Sequence, residues 1–169
     1  MQLSTHTLTT FRNMLSALGG IVDKAAAQGD AATLIDARIA PDMLPLATQF
    51  RMIANFPLQA LNTVAGTDIA SNDEDPETLE EAKARITETL SLLGKAGDAS
   101  FMSDDTMVDL DLPNGMKFKM SAADYVADWV FPNFYFHFTT AYAILRANGV
   151  ELGKADVVPH MMRHLNTGS

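Results

Sequence analysis

The chain has 169 residues, of which 47% are hydrophobic and 20% charged, which is enough for one globular domain with a buried core. Its 12 basic and 21 acidic residues give a formal charge of −9, which disfavours a nucleic acid or an anionic membrane as a partner. The sequence has no cysteine, no signal-peptide pattern and no long apolar run, so we expect a cytoplasmic protein without disulfides or a membrane span.

The first helix is predicted near the N-terminus. Its apolar residues recur every three or four positions, as in one buried helical stripe: Leu8, Phe11, Leu15, Leu18, Val22 and Ala25. Ser4 or Thr5 is expected to cap its start and Gly29 to end it. Gly19 and Gly20 weaken its middle, and a close approach of another helix there would explain them.

Two more helices are predicted in the middle of the chain. The second follows Pro45 and ends at Gly66, and Pro57 is expected to kink it near Ile53. Its polar side is expected to be opposite the apolar one: Arg51, Asn55, Gln59 and Asn62. The third is expected to begin at residues 75–77, where an acid precedes a proline at the first helical position.

Residues 107–120 alternate apolar and polar side chains, which is the pattern of strands. Asn114-Gly115 between the two runs predicts a β-hairpin. Its first strand carries acids and its second lysines, which can pair across it: Asp109, Asp111, Lys117 and Lys119. The hairpin is either a surface flap over one end of the bundle or a mobile lid.

Residues 122–148 form the last and most apolar predicted helix, interrupted at Pro132. Because aromatic residues surround it, this helix is either central or shared with a second subunit, so we expect a homodimer. With a crossover at residues 31–41, these elements predict an all-α fold, an up-down four-helix bundle with a small β-hairpin between helices 3 and 4. The bundle is expected to cover residues 1–156, and residues 157–169 are expected to form a C-terminal tail.

A polar stripe on the last helix indicates a candidate site. Asn133, His137 and Thr140 are spaced at i, i+4 and i+7, and Gln49 is a similar polar residue on the apolar side of the second helix. In one interpretation His137 is a core histidine hydrogen-bonded to a neighbour. In the other, the four residues line a ligand pocket, walled by aromatic residues: Phe50, Phe134 or Phe136.

The sequence gives little support for a metal site or for a catalytic nucleophile. A zinc or nickel site needs about three converging ligands, and the chain has only four histidines: His6, His137, His160 and His164. His160 and His164 have i, i+4 spacing, but they lie in the tail, after Pro159. The chain has no G-x-S-x-G elbow and no glycine-rich phosphate loop. We therefore expect no metal and no cofactor, and assign no catalytic residue.

Two segments resemble the signatures of a known family. Residues 37–46 read ARIAPDMLPL and residues 132–154 read PNFYFHFTTAYAILRANGVELGK. They are similar to the ARxAPDMxPL and PNFYFHxTTAYAILRxNGVxLGK signatures of an uncharacterised bacterial domain of unknown function within the DinB-like superfamily. The resemblance runs from about Leu8 to Asp156.

The resemblance implies a four-helix bundle that is often dimeric. Many superfamily members bind a divalent metal through three histidines, one from helix two and two from an H-x-x-x-H on the last helix, and some are thiol-dependent transferases or isomerases. Aligned on the shared L-R-x-x-G-V ending, Asn133 and His137 fall on that pair, and the helix-two ligand falls near Gln49 or Phe50. One histidine of the three is kept, so the resemblance implies a degenerate metal site.

Two hypotheses of function follow. In the first, the chain is a dimeric small-ligand-binding or interaction module, whose partners are a second copy and a small molecule. In the alternative, it is an enzyme of the DinB-like transferase or isomerase type that uses His137 as general acid–base, with Asn133 and Gln49 orienting a substrate. The first is favoured, because the second needs a nucleophile or metal that the sequence does not offer.

Overall fold

The computed structural model describes residues 3–28 and 30–167, most of which are helical. The elements in chain order are α1 (Leu3–Gln28), α2 (Ala31–Leu34), α3 (Leu46–Val64), α4 (Leu79–Lys95), β1 (Met107–Asp111), β2 (Lys117–Ser121), α5 (Ala122–Asp124), α6 (Phe131–Ala147) and α7 (Lys154–Val157). The all-α fold with one small hairpin is therefore confirmed. Gly29, expected to end the first helix, lies outside the described residues. No helix in the described ranges has both the length and the apolarity that a membrane crossing requires.

Gly19, in the middle of α1, marks the contact with α4. Lys83 Nζ of α4 donates to the Gly19 carbonyl at 2.8 Å and lies 2.5 Å from Asp23 Oδ2. A Cβ at Gly19 would lie 3.3 Å from this ammonium nitrogen, so the missing side chain leaves room for it. Arg12, two turns earlier in α1, donates to the carbonyl of Leu93 at 2.7 Å. α4 therefore contacts Gly19 through the end of the Lys83 side chain, and the two helices are antiparallel.

α3 and α6 form the other antiparallel pair. Near the start of α3, Gln49 contacts His137, and near its end Thr63 Oγ1 lies 3.3 Å from the Tyr125 hydroxyl, in the turn before α6. α3 continues through Pro57 from Leu46 to Val64 as one helix. Since α1 and α6 approach each other at their N-terminal ends, where Phe11 packs on Phe134, the four long helices run up, down, down and up.

α3 and α4 consequently run in the same direction, and the chain must return along α3 between them. Residues 65–78, which we call the strap, make this return in irregular structure. Three α3 side chains at intervals of seven residues bind strap residues at intervals of three: Asn62 binds Ile69, Asn55 binds Asn72 and Thr48 binds Asp75. Asn62 Oδ1 also accepts from the Thr67 hydroxyl. Seven helical residues rise about 10.5 Å, and three extended residues cover about 10 Å. The two spacings match, so the strap lies antiparallel to α3.

The strap covers much of the polar side of α3, where Asn55 is only 4% exposed. Its side-chain amide donates to the carbonyl of Asn72 at 2.8 Å and accepts from the Asn72 N–H at 3.4 Å. Gln59 of the same face does remain exposed. The two asparagines of this face, Asn55 and Asn62, bind strap backbone, because a buried amide needs a partner for each of its polar atoms.

α4 begins three residues later than the Asp-Pro-Glu signal predicted. Thr78 is the N-cap, with its hydroxyl accepting from the Glu81 N–H at 3.1 Å. The Glu81 carboxylate accepts in turn from the Glu77 N–H at 2.7 Å, an arrangement similar to a capping box. Asp75, predicted to cap this helix, accepts instead from Thr48 at 2.6 Å. Asp75 therefore connects the strap to α3, and Thr78, the residue directly before α4, caps the helix.

The predicted hairpin forms, and its acidic residues lie opposite its lysines. Asp109 faces Lys119, and Asp111 faces Lys117 with 3.0 Å between carboxylate and ammonium. Its base packs on the core through the buried Val108. The tip is more open, since Phe118 beside the turn is 41% exposed. The flap thus covers the bundle only at its base.

Replacing Asn55 by Ala tests the strap. We expect Asn55→Ala to lower the free energy of unfolding by roughly 1–3 kcal/mol. The change removes both hydrogen bonds from the Asn55 side chain and leaves the carbonyl and the N–H of Asn72 without these partners. The midpoint of thermal unfolding should fall by about 2–4 °C per kcal/mol. The matched control is Gln59→Ala, one turn later on the exposed side, which should stay within about 0.5 kcal/mol of wild type. Equal effects of the two changes, measured by urea unfolding, would refute the role of Asn55.

Candidate functional site

A π-helical turn, Tyr125–Val130, leads into α6 and sets the position of its polar stripe. Pro132 has no N–H, and its ring conflicts with the carbonyl four residues earlier in a regular helix. In the wider π turn, the N–H of Phe131 donates to the carbonyl of Val126, five residues earlier. The chain remains helical from Ala122 to Ala147, so the predicted interruption at Pro132 is a local widening.

The stripe on α6 faces inward. His137 and Thr140 are each 7% exposed, and Asn133 is half-buried. Tyr135 and Thr139, on another side of the same helix, are exposed. The rotation of α6 about its axis is therefore the one that the sequence predicted.

The centre of the candidate site is a buried pair, Gln49 and His137. His137 Nδ1 lies 2.8 Å from Gln49 Oε1, and Gln49 Nε2 donates to the Leu44 carbonyl at 3.1 Å. A carbonyl can only accept, so it fixes which end of the amide faces Leu44. The oxygen end then faces the imidazole, and Nδ1 must carry the proton. The geometry assigns His137 the Nδ1–H tautomer and leaves a lone pair on Nε2.

Nε2 is open to a further partner. It accepts no hydrogen bond from any residue that the structure describes. Among those residues, the enclosed side-chain atoms without a partner are Thr7 Oγ1 and His160 Nδ1, and Nε2 is not one of them. Solvent therefore reaches Nε2, although the ring as a whole is buried.

Burial also determines the charge of the imidazole. Burial first, and then the positive charge of Arg51, lower the pKa of His137 from 6.5 to about 4. His137 is consequently neutral at pH 7. A neutral imidazole at this position accepts a hydrogen bond through Nε2, but it is a weak base.

Two aromatic rings flank the imidazole. Phe56 stacks against His137 with 5.8 Å between ring centroids and 25° between planes, and Phe136 meets it edge-on at 5.2 Å. Of the walls expected from the sequence, Phe136 is in contact, whereas Phe134 packs on Phe11 in the core. Phe56 was not among the expected walls, although its position seven residues after Gln49 puts it on the same side of α3.

The other two predicted site residues bond within their own helix. Asn133 Nδ2 donates to the Trp129 carbonyl at 2.7 Å, and Thr140 Oγ1 donates to the Phe136 carbonyl at 2.7 Å. The structure thus joins Gln49 to His137, while Asn133 and Thr140 lie beside them without a bond to either. A cavity of about 490 Å³ lies elsewhere, between α3, α4 and the strap.

The positions that the resemblance aligns with metal ligands do not fit a metal ion. Gln49 and Asn133 each make a hydrogen bond to protein with the side chain, which leaves Nε2 of His137 as a single ligand. In the described ranges no three histidine, aspartate or glutamate side chains cluster as a metal site would require. His160 and His164 lie in a 3₁₀-helical segment, where side chains four apart are about 120° from each other around the axis.

Comparison with known families and structures places the fold. A family model described as a domain of unknown function, DUF1993, matches residues 3–158. The chain belongs to this family. It is also similar to the crystal structure of a DinB family member from Shewanella denitrificans, with 28% identity and a TM-score of 0.77 over 92% of this chain and 91% of the other. None of the curated proteins matches. The DUF1993 domain thus has a DinB-like fold, as its sequence indicated.

The pKa of His137 predicts how stability depends on pH. The unfolded chain takes up a proton on this residue as pH falls below 6.5, while the native ring stays neutral down to about pH 4. We therefore expect the contribution of His137 to stability to be complete above pH 6.5 and to decline between pH 6.5 and 4.

Long-range ¹H–¹⁵N NMR of the imidazole should show the Nδ1–H tautomer at pH 6. A His137 ring that titrates near pH 6.5 would contradict the lowered pKa.

Proposed function

We propose that this DUF1993 protein is a small-ligand-binding module, whose ligand donates a hydrogen bond to Nε2 of His137. The observation that carries the proposal is the neutral imidazole, with Nδ1 engaged by Gln49 and Nε2 reachable from solvent. Ligand sites typically combine apolar walls with a few polar groups in fixed orientation. Phe56 and Phe136 supply such walls here. In this proposal, Asn133 and Thr140 complete the lining on α6.

The two segments that resemble family signatures support this location. Leu44 belongs to the first segment and His137 to the second, and Gln49 makes hydrogen bonds to both. The site would then be a degenerate metal site, in which an amide replaces a ligand and orients the remaining histidine. The function would be carried out in the cytoplasm, as the sequence leads us to expect.

The enzymatic alternative, with His137 as general acid–base, is less well supported. Such a group is most effective when its pKa lies near the working pH, whereas the pKa of His137 is lowered to about 4. Burial and the charge of Arg51 both favour the neutral ring, so protonation during a reaction at pH 7 would be costly. These features suit a fixed acceptor better than a proton carrier.

We also propose that the module is a homodimer, joined through the outer face of α6. Residues 129–145 contain no aspartate, glutamate, lysine or arginine, although the chain carries a charge of −9. Two such chains repel each other, and an uncharged helical face is where this repulsion is smallest. Phe136 and Tyr135 are 59% and 39% exposed on this face, as interface aromatics are before association.

Phenol is a minimal probe for the ligand site, because it combines an aromatic ring with one hydroxyl donor. We expect phenol to bind beside His137 more tightly than anisole, which has the same ring without the donor. Saturation-transfer NMR on wild type should show this preference, and His137→Phe should abolish it. His6→Phe, which changes an exposed histidine of α1, is the control and should bind as wild type does. Equal binding of phenol and anisole, or a preference that survives His137→Phe, would overturn the proposal.

The dimer is tested by placing a charge on α6. Thr139 is exposed and does not contact His137, so Thr139→Lys should leave the candidate site intact. We expect light scattering to give a dimer mass for wild type and a monomer mass for Thr139→Lys, because two unpaired ammonium groups would be brought together at the interface. Ser91→Lys on the exposed side of α4 should remain dimeric. A monomeric wild-type protein at micromolar concentration would refute this part of the proposal.

A further inference from the structure

A second site is indicated by the cavity between α3, α4 and the strap. Its volume is about 490 Å³, within the range of about 300–1,000 Å³ that is usual for small-molecule sites. Strap residues 70–74 form one wall, and the two helices form the floor. None of the residues proposed to bind a ligand near His137 lines it.

The two ends of this cavity differ chemically, because the helices that form it are parallel. Arg51 and Arg85 lie toward the N-terminal ends of α3 and α4, and Leu58 and Leu92 lie two turns further along. One end therefore presents guanidinium groups and the other presents aliphatic side chains. A ligand that fits the cavity must itself have a polar and an apolar end.

At the polar end, part of the guanidinium of Arg51 is unused. Its Nε lies 2.7 Å from Asp75 Oδ1. Its Nη1 and Nη2 make no hydrogen bond with any residue in the described ranges, and its side chain is 24% exposed. Arg85, by contrast, uses both terminal nitrogens, one on the Glu74 carbonyl and one on Glu81 Oε1. Arg51 thus offers the free donors for an oxyanion, in a planar fork that suits a carboxylate.

An unpaired carboxylate lies about one turn away. Glu88 lines the same cavity and makes no hydrogen bond or ion pair with the described part of the chain. It follows Arg85 by three residues, so its Cα lies about 4.5 Å further along α4. The same cavity thus presents unused groups of opposite charge, together with aliphatic side chains.

We propose that this cavity binds a small zwitterion, an α-amino acid with an apolar side chain. Its carboxylate would bind the Nη atoms of Arg51, its ammonium would bind Glu88, and its side chain would lie against Leu58 and Leu92. A simple anion would meet the carboxylates of Asp73, Glu74 and Glu88 at the rim, and a simple cation would meet two guanidinium groups. A zwitterion satisfies both charges. This site is separate from the one at His137 and does not depend on it.

The ligand class is tested with leucine and three analogues that each lack one group. Leucinamide lacks the carboxylate, 4-methylpentanoate lacks the ammonium, and glycine lacks the side chain. We expect isothermal titration calorimetry to detect leucine binding, and each analogue to bind at least about tenfold more weakly, since each loses one contact of roughly 1.4 kcal/mol or more. Absence of leucine binding at millimolar concentration, or equal binding of leucine and either singly charged analogue, would overturn the proposal.

Variants then locate the site. Glu88→Gln, which disturbs no existing bond, should weaken leucine binding at least about tenfold, and Arg51→Gln should do the same. The controls are Glu80→Gln and Arg38→Gln, which remove exposed charges outside the cavity. His137→Phe should also leave leucine binding unchanged. If Arg51→Gln unfolds because it loses the ion pair with Asp75, leucine binding by Glu88→Gln alone tests the site. Leucine binding that is unchanged in Glu88→Gln would refute the site.

Discussion

The hydrogen bond between Gln49 and His137 is the interaction on which the candidate site depends. It connects α3 to α6 at 2.8 Å, and through Gln49 Nε2 it extends to the carbonyl of Leu44 in the loop before α3. Each step restricts the next, since the carbonyl orients the amide and the amide selects the tautomer of the imidazole. Burial then keeps the ring neutral. The result is a lone pair in a fixed place, which is a property of a binding site more than of a proton carrier.

α3 has polar side chains on two sides, and the two sides make contacts with different parts of the structure. On one side Gln49 serves the contact with α6, and on the other Thr48, Asn55 and Asn62 bind the strap. The strap is needed because α3 and α4 are parallel, which forces the chain to return along the helix. Its course leaves a cavity between itself, α3 and α4. The same helix direction that requires the strap therefore produces the second proposed site.

Much of this fold was predictable from local patterns. The apolar stripes predicted the long helices, Asn114-Gly115 predicted the hairpin, and Gly19 predicted a close helix contact. The errors arose where a polar residue has two possible partners. Asp75 before a proline resembles a helix cap, yet it binds Thr48, a contact between residues distant in sequence that periodicity does not reveal. For the same reason, the sequence indicated that Gln49 and His137 lie inward but not that they touch. It did not predict the roles of the Leu44 carbonyl and Arg51, or that Phe56 stacks on the imidazole.

A double-mutant cycle on Gln49 and His137 tests the central claim most directly. The free energies of urea unfolding would be measured for wild type, Gln49→Leu, His137→Phe and the double variant. If the two side chains form one buried hydrogen bond, each single change strands the other partner, and the double variant should be more stable than the sum of the single effects by roughly 1–2 kcal/mol. Additive effects, with no coupling between the two positions, would contradict the account.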